Sequence, residues 1–198
     1  MTAAWDQTRC IVLLATLALA HALLAGCAGQ PAAPPQADRI KLDELLTLMK
    51  ARLELAAQAA REAWLSKRAI DDSRAEADDV DSAVNRAFEY SLPPETVREF
   101  FLAQSEAARH VQSALHAQWQ SQPASRPKSS SASPESPRPR IEPLSTPLLA
   151  ALKAAYPILR GASGRQLLQQ RANALLTGTP GGAQAAALAL APLWNLAR

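Results

Sequence analysis

Between Asp38 and Lys67 the apolar residues recur in steps of three and four: Leu42, Leu45, Leu46, Met49, Leu53, Ala56, Ala60 and Trp64. That spacing predicts an amphipathic helix over 38–67. At about 1.5 Å per residue such a helix is about 45 Å long, the length of a bundle spine. One position breaks the pattern. Arg52 has Leu48, Met49, Leu55 and Ala56 as i±3 and i±4 neighbours, and on a helix those residues share its face. A permanently charged guanidinium thus occupies the side that should be buried.

The pattern pauses near 69–73. Asp71, Asp72 or Ser73 can cap a following helix, and Glu76 stands three residues after Ser73 as in a capping box. The second helix is expected over 74–90, with Val80, Val84 and Phe88 on one stripe. "SLPPE" (91–95) is a stop and a restart, because proline is excluded from a helix interior but fits a first turn. The third helix is expected over 95–119. Its seam is Val97, Phe101, Gln104, Ala108, Val111, Leu115 and Trp119, with a polar Gln104 inside it.

Beyond it the pattern dissolves. Residues 120–147 are rich in Ser, Pro and Arg and hold too little apolar surface to order themselves, so they read as a loop. A helix over 148–161 follows, bent or ended by Pro157, then a short amphipathic one over 164–178. The Gly/Ala-rich end, 179–198, reads either as a last docked helix ending in Trp194 or as a frayed tail.

Composition turns these stretches into a fold class. Ala and Leu dominate, aromatics are 5% and glycines number 7, a balance that favours an all-α protein. The net charge of +3 is unevenly spread: residues 38–120 carry 11 Lys/Arg against 15 Asp/Glu, and residues 121–198 carry 9 against 2. A basic tail suits anionic surfaces. No aromatic residue is interleaved with the cluster at 126–140, however, so a nucleic-acid partner is not expected.

The two cysteines, Cys10 and Cys27, both lie at the N-terminal end, so neither a disulfide framework nor a cysteine metal site is expected in the folded part. Arg9 precedes an apolar run from Cys10 to Leu24, and small residues follow before Cys27. This is the layout of a secretory signal, and the run is short for a membrane span. Leu24-Ala25-Gly26-Cys27 resembles a bacterial lipobox, which implies lipidation at Cys27. Ala28 follows where an inner-membrane retention signal would have Asp, so outer-membrane sorting is expected. The expected organisation is a signal peptide (1–26), a Pro/Ala-rich tether (27–37), a helical core (38–119), a Ser/Pro/Arg-rich loop (120–147) and a C-terminal helical part (148–198). The chain is placed on the periplasmic side of the envelope, held by its lipid.

The chemistry is sparse. The sequence has no Gly-rich phosphate loop, no His-Glu-x-x-His motif and no nucleophile elbow. His110 and His116 lie six residues apart, too far round a helix to share a face well, and read as surface or partly buried residues. Arg52 alone can snorkel its head to water or to an acid. The acidic stretch 71–81 alone can be a solvated helix start. Gln104 and Gln112 alone can be polar groups satisfied within a bundle.

Taken in order, these features resemble the secreted gamma subclass of AroQ-type chorismate mutases. The residues that carry the resemblance are "ARLELA" around Arg52, Trp64 twelve residues on, then "IDDS", "LPPETVREFFLAQ", and Trp119 followed by Pro123, Ala124, Ser125 and Pro127. The similarity covers about 40–127. It implies an AroQ-like helical bundle with a long first helix, and the cofactor-free rearrangement of chorismate to prephenate. Such a site must hold two carboxylates and stabilise charge on a breaking ether oxygen, and Arg suits carboxylates through its planar fork. By resemblance the site residues are Arg52, an Asp at Asp72, and Gln112. A one-residue slip would use Asp71 with Arg74 instead.

The departures are specific. The family's Lys, eleven residues after the first-helix Arg, is replaced by Ala63. Its Arg on the second helix falls on Ala75 without the slip, its hydroxyl on the third helix falls on Ala108, and a later Arg falls near Leu148. Lys67, Arg68 and Arg109 are the cations that could reach back. Three functions are therefore carried forward. One is a periplasmic lipoprotein that works as a chorismate mutase with a rearranged cation set. The second is a degenerate relative that binds a small anionic ligand or a partner, and the third is a structural envelope lipoprotein. The expected contacts are a small dicarboxylate and a membrane through the anchor. A homodimer is left open, and no cofactor or metal is called for.

Overall fold

The computed structural model describes residues 36–67, 73–128 and 142–198, all within the unit Pro34–Arg198. Among them are six α-helices and two short 3-10 turns, with no strand. The helices are α1 (Gln36–Leu65), α2 (Ser73–Asn85), α3 (Pro94–Ser121), α4 (Glu142–Leu159), α5 (Gly164–Leu175) and α6 (Gly182–Leu196). The turns are Ala87–Tyr90 and Pro123–Ser125. The expected all-α bundle with a long first helix is what the chain forms.

α1 is the spine. Leu42, Leu45, Leu46, Met49, Leu53, Ala56 and Ala60 are buried along it, and it packs against α3, α4 and α5. α3 presents Val97, Phe100, Phe101, Ala107, Ala108 and Val111 inward, and holds α2 on one flank and α6 on another. Burying the leucines of α1 and α4 is worth roughly 1.5–3 kcal/mol per side chain. Those terms outweigh helix propensity in a bundle.

Two elements depart most from the periodicity. α2 stops at Asn85, and the chain tightens into the turn Ala87–Tyr90. A 3-10 turn advances 120° per residue where an α-helix advances 100°. The stripe therefore slips from Phe88 to its neighbour: Ala87 is buried and Phe88 is 80% exposed. Leu92 then enters the core. Ser91, in the left-handed region with φ 54°, closes the turn by donating its N–H to Phe88 O, and Pro94 opens α3 at its first turn.

The second difference is α4, which begins at Glu142, inside the stretch expected to be a loop. Pro147 and Pro157 both lie within it. Each removes one i→i−4 backbone bond, a cost the packing of this helix must offset. The buried Leu148, Leu149, Leu152, Ala155 and Leu159 hold the helix in place. At the C-terminal end the docked helix, one of the two expected readings, is the one formed. α6 is docked, with Ala185, Ala189, Leu190 and Leu193 buried and the Arg165 guanidinium 5.6 Å from the Trp194 ring centroid. Gly181 caps α6 with φ 76°, and a Cβ there would stand 3.2 Å from Val111 Cα, so α6 seats directly on the backbone of α3.

Polar links fix the register of the helices. Arg171 on α5 grips Asp43 on α1 with two bonds, Nε to Oδ1 at 2.5 Å and Nη2 to Oδ2 at 2.8 Å. The hydrogen bond to Asp43 raises the Arg171 pKa above its ordinary value. Gln104 is fully buried and donates from Nε2 to the Ala189 carbonyl of α6 at 3.0 Å.

These placements separate two phenylalanines. Phe88→Ala should change stability by no more than about 0.5 kcal/mol, as for an ordinary surface site, while Phe100→Ala should cost about 3–5 kcal/mol. Urea unfolding of both variants measures the difference.

Candidate functional site

Arg52 is the only buried charged side chain among the described residues, at 1% exposure. An isolated charge in such a position is strongly disfavoured, so what surrounds it decides whether the fold can form. Three other helices supply the surroundings. From α2, Asp79 accepts a hydrogen bond from Arg52 Nη2 at 2.9 Å. From α3, the Ser105 hydroxyl accepts from the same Nη2 at 3.3 Å, and the Phe101 ring lies with its centroid 5.7 Å from Arg52 Cζ. From α4, Ser145 donates to the other oxygen of Asp79 at 2.5 Å. The result is a chain of contacts from Ser145 through Asp79 and Arg52 to Ser105, crossing four helices.

The site has unspent donors. Arg52 Nε and Nη1 are both buried and have no hydrogen-bond partner. Gln104 Oε1, also buried, has none either. Orphaned groups of this kind are costly and rare, and a guanidinium with unused N–H groups can donate charge-assisted hydrogen bonds to an anionic or neutral acceptor.

The residues expected from the sequence distribute unevenly. Arg52 is central. Asp71, Asp72, Arg68 and Cys27 lie outside the described residues. Arg74 is exposed at the start of α2. Gln112 is half-buried, seven residues beyond Ser105 on α3 and so about 10 Å further along that helix. Ala63 is half-buried, while Ala108 and Leu148 are buried apolar positions. Of the candidate rescuing cations, Arg109 is bound to Glu76 at 2.8 Å and is more than half exposed, and Lys67 is exposed.

Asp79, Ser105 and Ser145 were not singled out by the sequence. Asp79 stands between Asp78 and Asp81, where a run of acids reads as a solvated face. Its signal was register, since it lies three residues after Glu76 and four before the buried Ala83. Ser105 stands beside Gln104, four residues from Phe101 and three from Ala108, at the edge of the seam.

A second cluster closes the far end of α1. Trp64, His116 and Trp119 pack mutually with ring centroids 5.3–5.5 Å apart. His116 Nε2 lies 3.0 Å from the Ala60 carbonyl, which can only accept, so that nitrogen carries the proton. Arg126 donates from Nε to the Trp119 carbonyl at 2.8 Å, and its Cζ lies 5.9 Å from the Trp64 ring centroid. These contacts fold the chain after α3 back onto α1.

The Arg52–Asp79 pair predicts a double-mutant cycle. Asp79→Leu alone should cost about 3–5 kcal/mol, because it leaves a buried charge uncompensated. Adding Arg52→Met should recover most of that loss. Denaturant unfolding of the two single variants and the double variant checks it.

No protein-family model and no curated protein matches the sequence. Solved structures do. Chorismate mutase from Burkholderia thailandensis matches with a TM-score of 0.66 at 28% identity, covering 77% of this chain and 98% of that one. Chorismate mutase from Burkholderia phymatum matches with a TM-score of 0.65 at 25% identity, covering 79% of this chain and 98% of that one. The architecture around Arg52 is thus the all-α AroQ fold that these chorismate mutases share.

Proposed function

We propose that this chain is a chorismate-mutase-like lipoprotein of the bacterial envelope that binds a small carboxylate-bearing ligand at Arg52 and rearranges chorismate poorly or not at all. The observation that carries the reading is the buried Arg52 guanidinium with two unpartnered donors. It lies in a fold whose solved counterparts include chorismate mutases. The attenuation follows from the rest of the set. The rearrangement needs two carboxylates held and a donor at the ether oxygen. Here one buried cation is present among the described residues, and it already faces Asp79. Removal of one electrostatic donor costs a factor of about 10² to 10³.

Two measurements test the reading. In a chorismate-to-prephenate assay the purified chain should turn over at least about 10²-fold below an ordinary enzyme rate of about 10 s⁻¹. Turnover near that rate would overturn the attenuation. In thermal melts against a panel of ring mono- and dicarboxylates, at least one ligand near saturation should raise Tm by about 2 °C or more. The rise should vanish in Arg52→Met. A flat response to the whole panel would leave the structural envelope lipoprotein as the better description.

The anchor has its own test. The lipobox-like Leu24-Ala25-Gly26-Cys27 supports lipidation, and no described helix is long and apolar enough to cross a membrane. Cys27→Ser removes the thiol that would carry the lipid and should release the protein from the membrane fraction. Retention unchanged by the substitution would contradict lipidation.

A further inference from the structure

We infer that Asp79 restricts the Arg52 site to ligands carrying no more than one negative charge, so that it takes a monocarboxylate and discriminates against dicarboxylates. This rests on the reading of Arg52 as a ligand site and names the ligand class that site accepts.

The geometry is local. A guanidinium offers a carboxylate two forks, one from Nε and Nη2 and one from Nη1 and Nη2. Both forks share Nη2. In this chain Nη2 is the atom engaged by Asp79 at 2.9 Å and by Ser105 at 3.3 Å. The two donors without partners, Nε and Nη1, lie on opposite edges of the guanidinium plane. An incoming carboxylate therefore meets single donors and no intact fork.

Charge sharpens the restriction. Arg52 and Asp79 together are neutral, and the Asp79 side chain is only 10% exposed, so water does little to screen it. Ser145 donates to the second Asp79 oxygen and so holds the carboxylate toward Arg52. Arg109 and Glu76, the charged pair between α2 and α3, cancel each other at 2.8 Å. No further buried cation exists among the described residues to receive a second carboxylate. One ligand carboxylate can share the guanidinium with Asp79. A second would stand against Asp79 uncompensated, and a like-charge juxtaposition of that kind weakens binding by at least about tenfold.

The test is calorimetric titration of the purified full chain with benzoate and with isophthalate, which has the same ring and one more carboxylate. The native protein should bind benzoate at least about tenfold more tightly than isophthalate. Asp79→Asn keeps an oxygen acceptor beside Arg52 and removes the charge, so it should erase or invert that ratio. Asp79→Glu keeps the charge and should keep the preference. Equal or tighter isophthalate binding by the native protein overturns the inference, as does an unchanged ratio in Asp79→Asn. Were Asp79→Asn not to fold, the native ratio and the Asp79→Glu ratio would still decide. Failure of the native protein to bind either probe, or any member of the wider panel, would remove the ligand site itself. Binding of both without preference would remove only the role of Asp79.

Discussion

A guanidinium enclosed by four helices is the constraint around which this bundle is arranged. Arg52 cannot be buried without a carboxylate, and the carboxylate cannot come from α1, whose neighbouring positions on that face are apolar. It comes from α2, which must therefore lie in the register that brings Asp79 to Nη2. α3 must then present Ser105 at the same atom, and α4 must reach Asp79 with Ser145. Packing of leucines fixes that the helices associate. The polar chain fixes how far each has slid along the others, because apolar stripes tolerate shifts that hydrogen bonds do not.

The spine is held elsewhere by contacts of a different kind. Near its start Asp43 is gripped by Arg171 of α5 in a two-pronged ion pair. Near its end Trp64 is enclosed by His116, Trp119 and Arg126. Both are partly solvated, and neither contributes to the buried polar side-chain atoms without a partner among the described residues. Only the middle of α1 combines deep burial with unpartnered donors. That combination is costly to stability, and the proposed ligand site rests on it.

The helical architecture was legible in the sequence because it depends on repetition. The stripe of α1 and the seam of α3 recur often enough that one odd residue, Arg52 or Gln104, stands out against them. Phe88 was misplaced because a single 3-10 turn rotates the chain, and no local residue announces that change. The start of α4 was hidden because its fully buried leucines begin at Leu148, six residues after the helix does, and only the half-buried Leu144 precedes them on the core. The partners of Arg52 were hidden for a third reason. Asp79 is one acid in a row of acids, and only the three-dimensional register of α2 against α1 separates it from Asp78 and Asp81.

The contact that makes Arg52 tolerable in the core also lowers its worth for catalysis. A rate is raised only by interactions stronger in the transition state than in the ground state. Charge developing on an ether oxygen would call on the positive potential of a guanidinium, and Asp79 damps that potential permanently at 2.9 Å. That damping weighs more on the transition state, where the oxygen has gained negative charge, than on the bound ligand. Asp79 therefore lets Arg52 supply position and hydrogen bonds, which serve binding, while removing the net charge that would distinguish the transition state. On the proposed reading, one carboxylate on the facing helix is thus enough to favour recognition over turnover at Arg52.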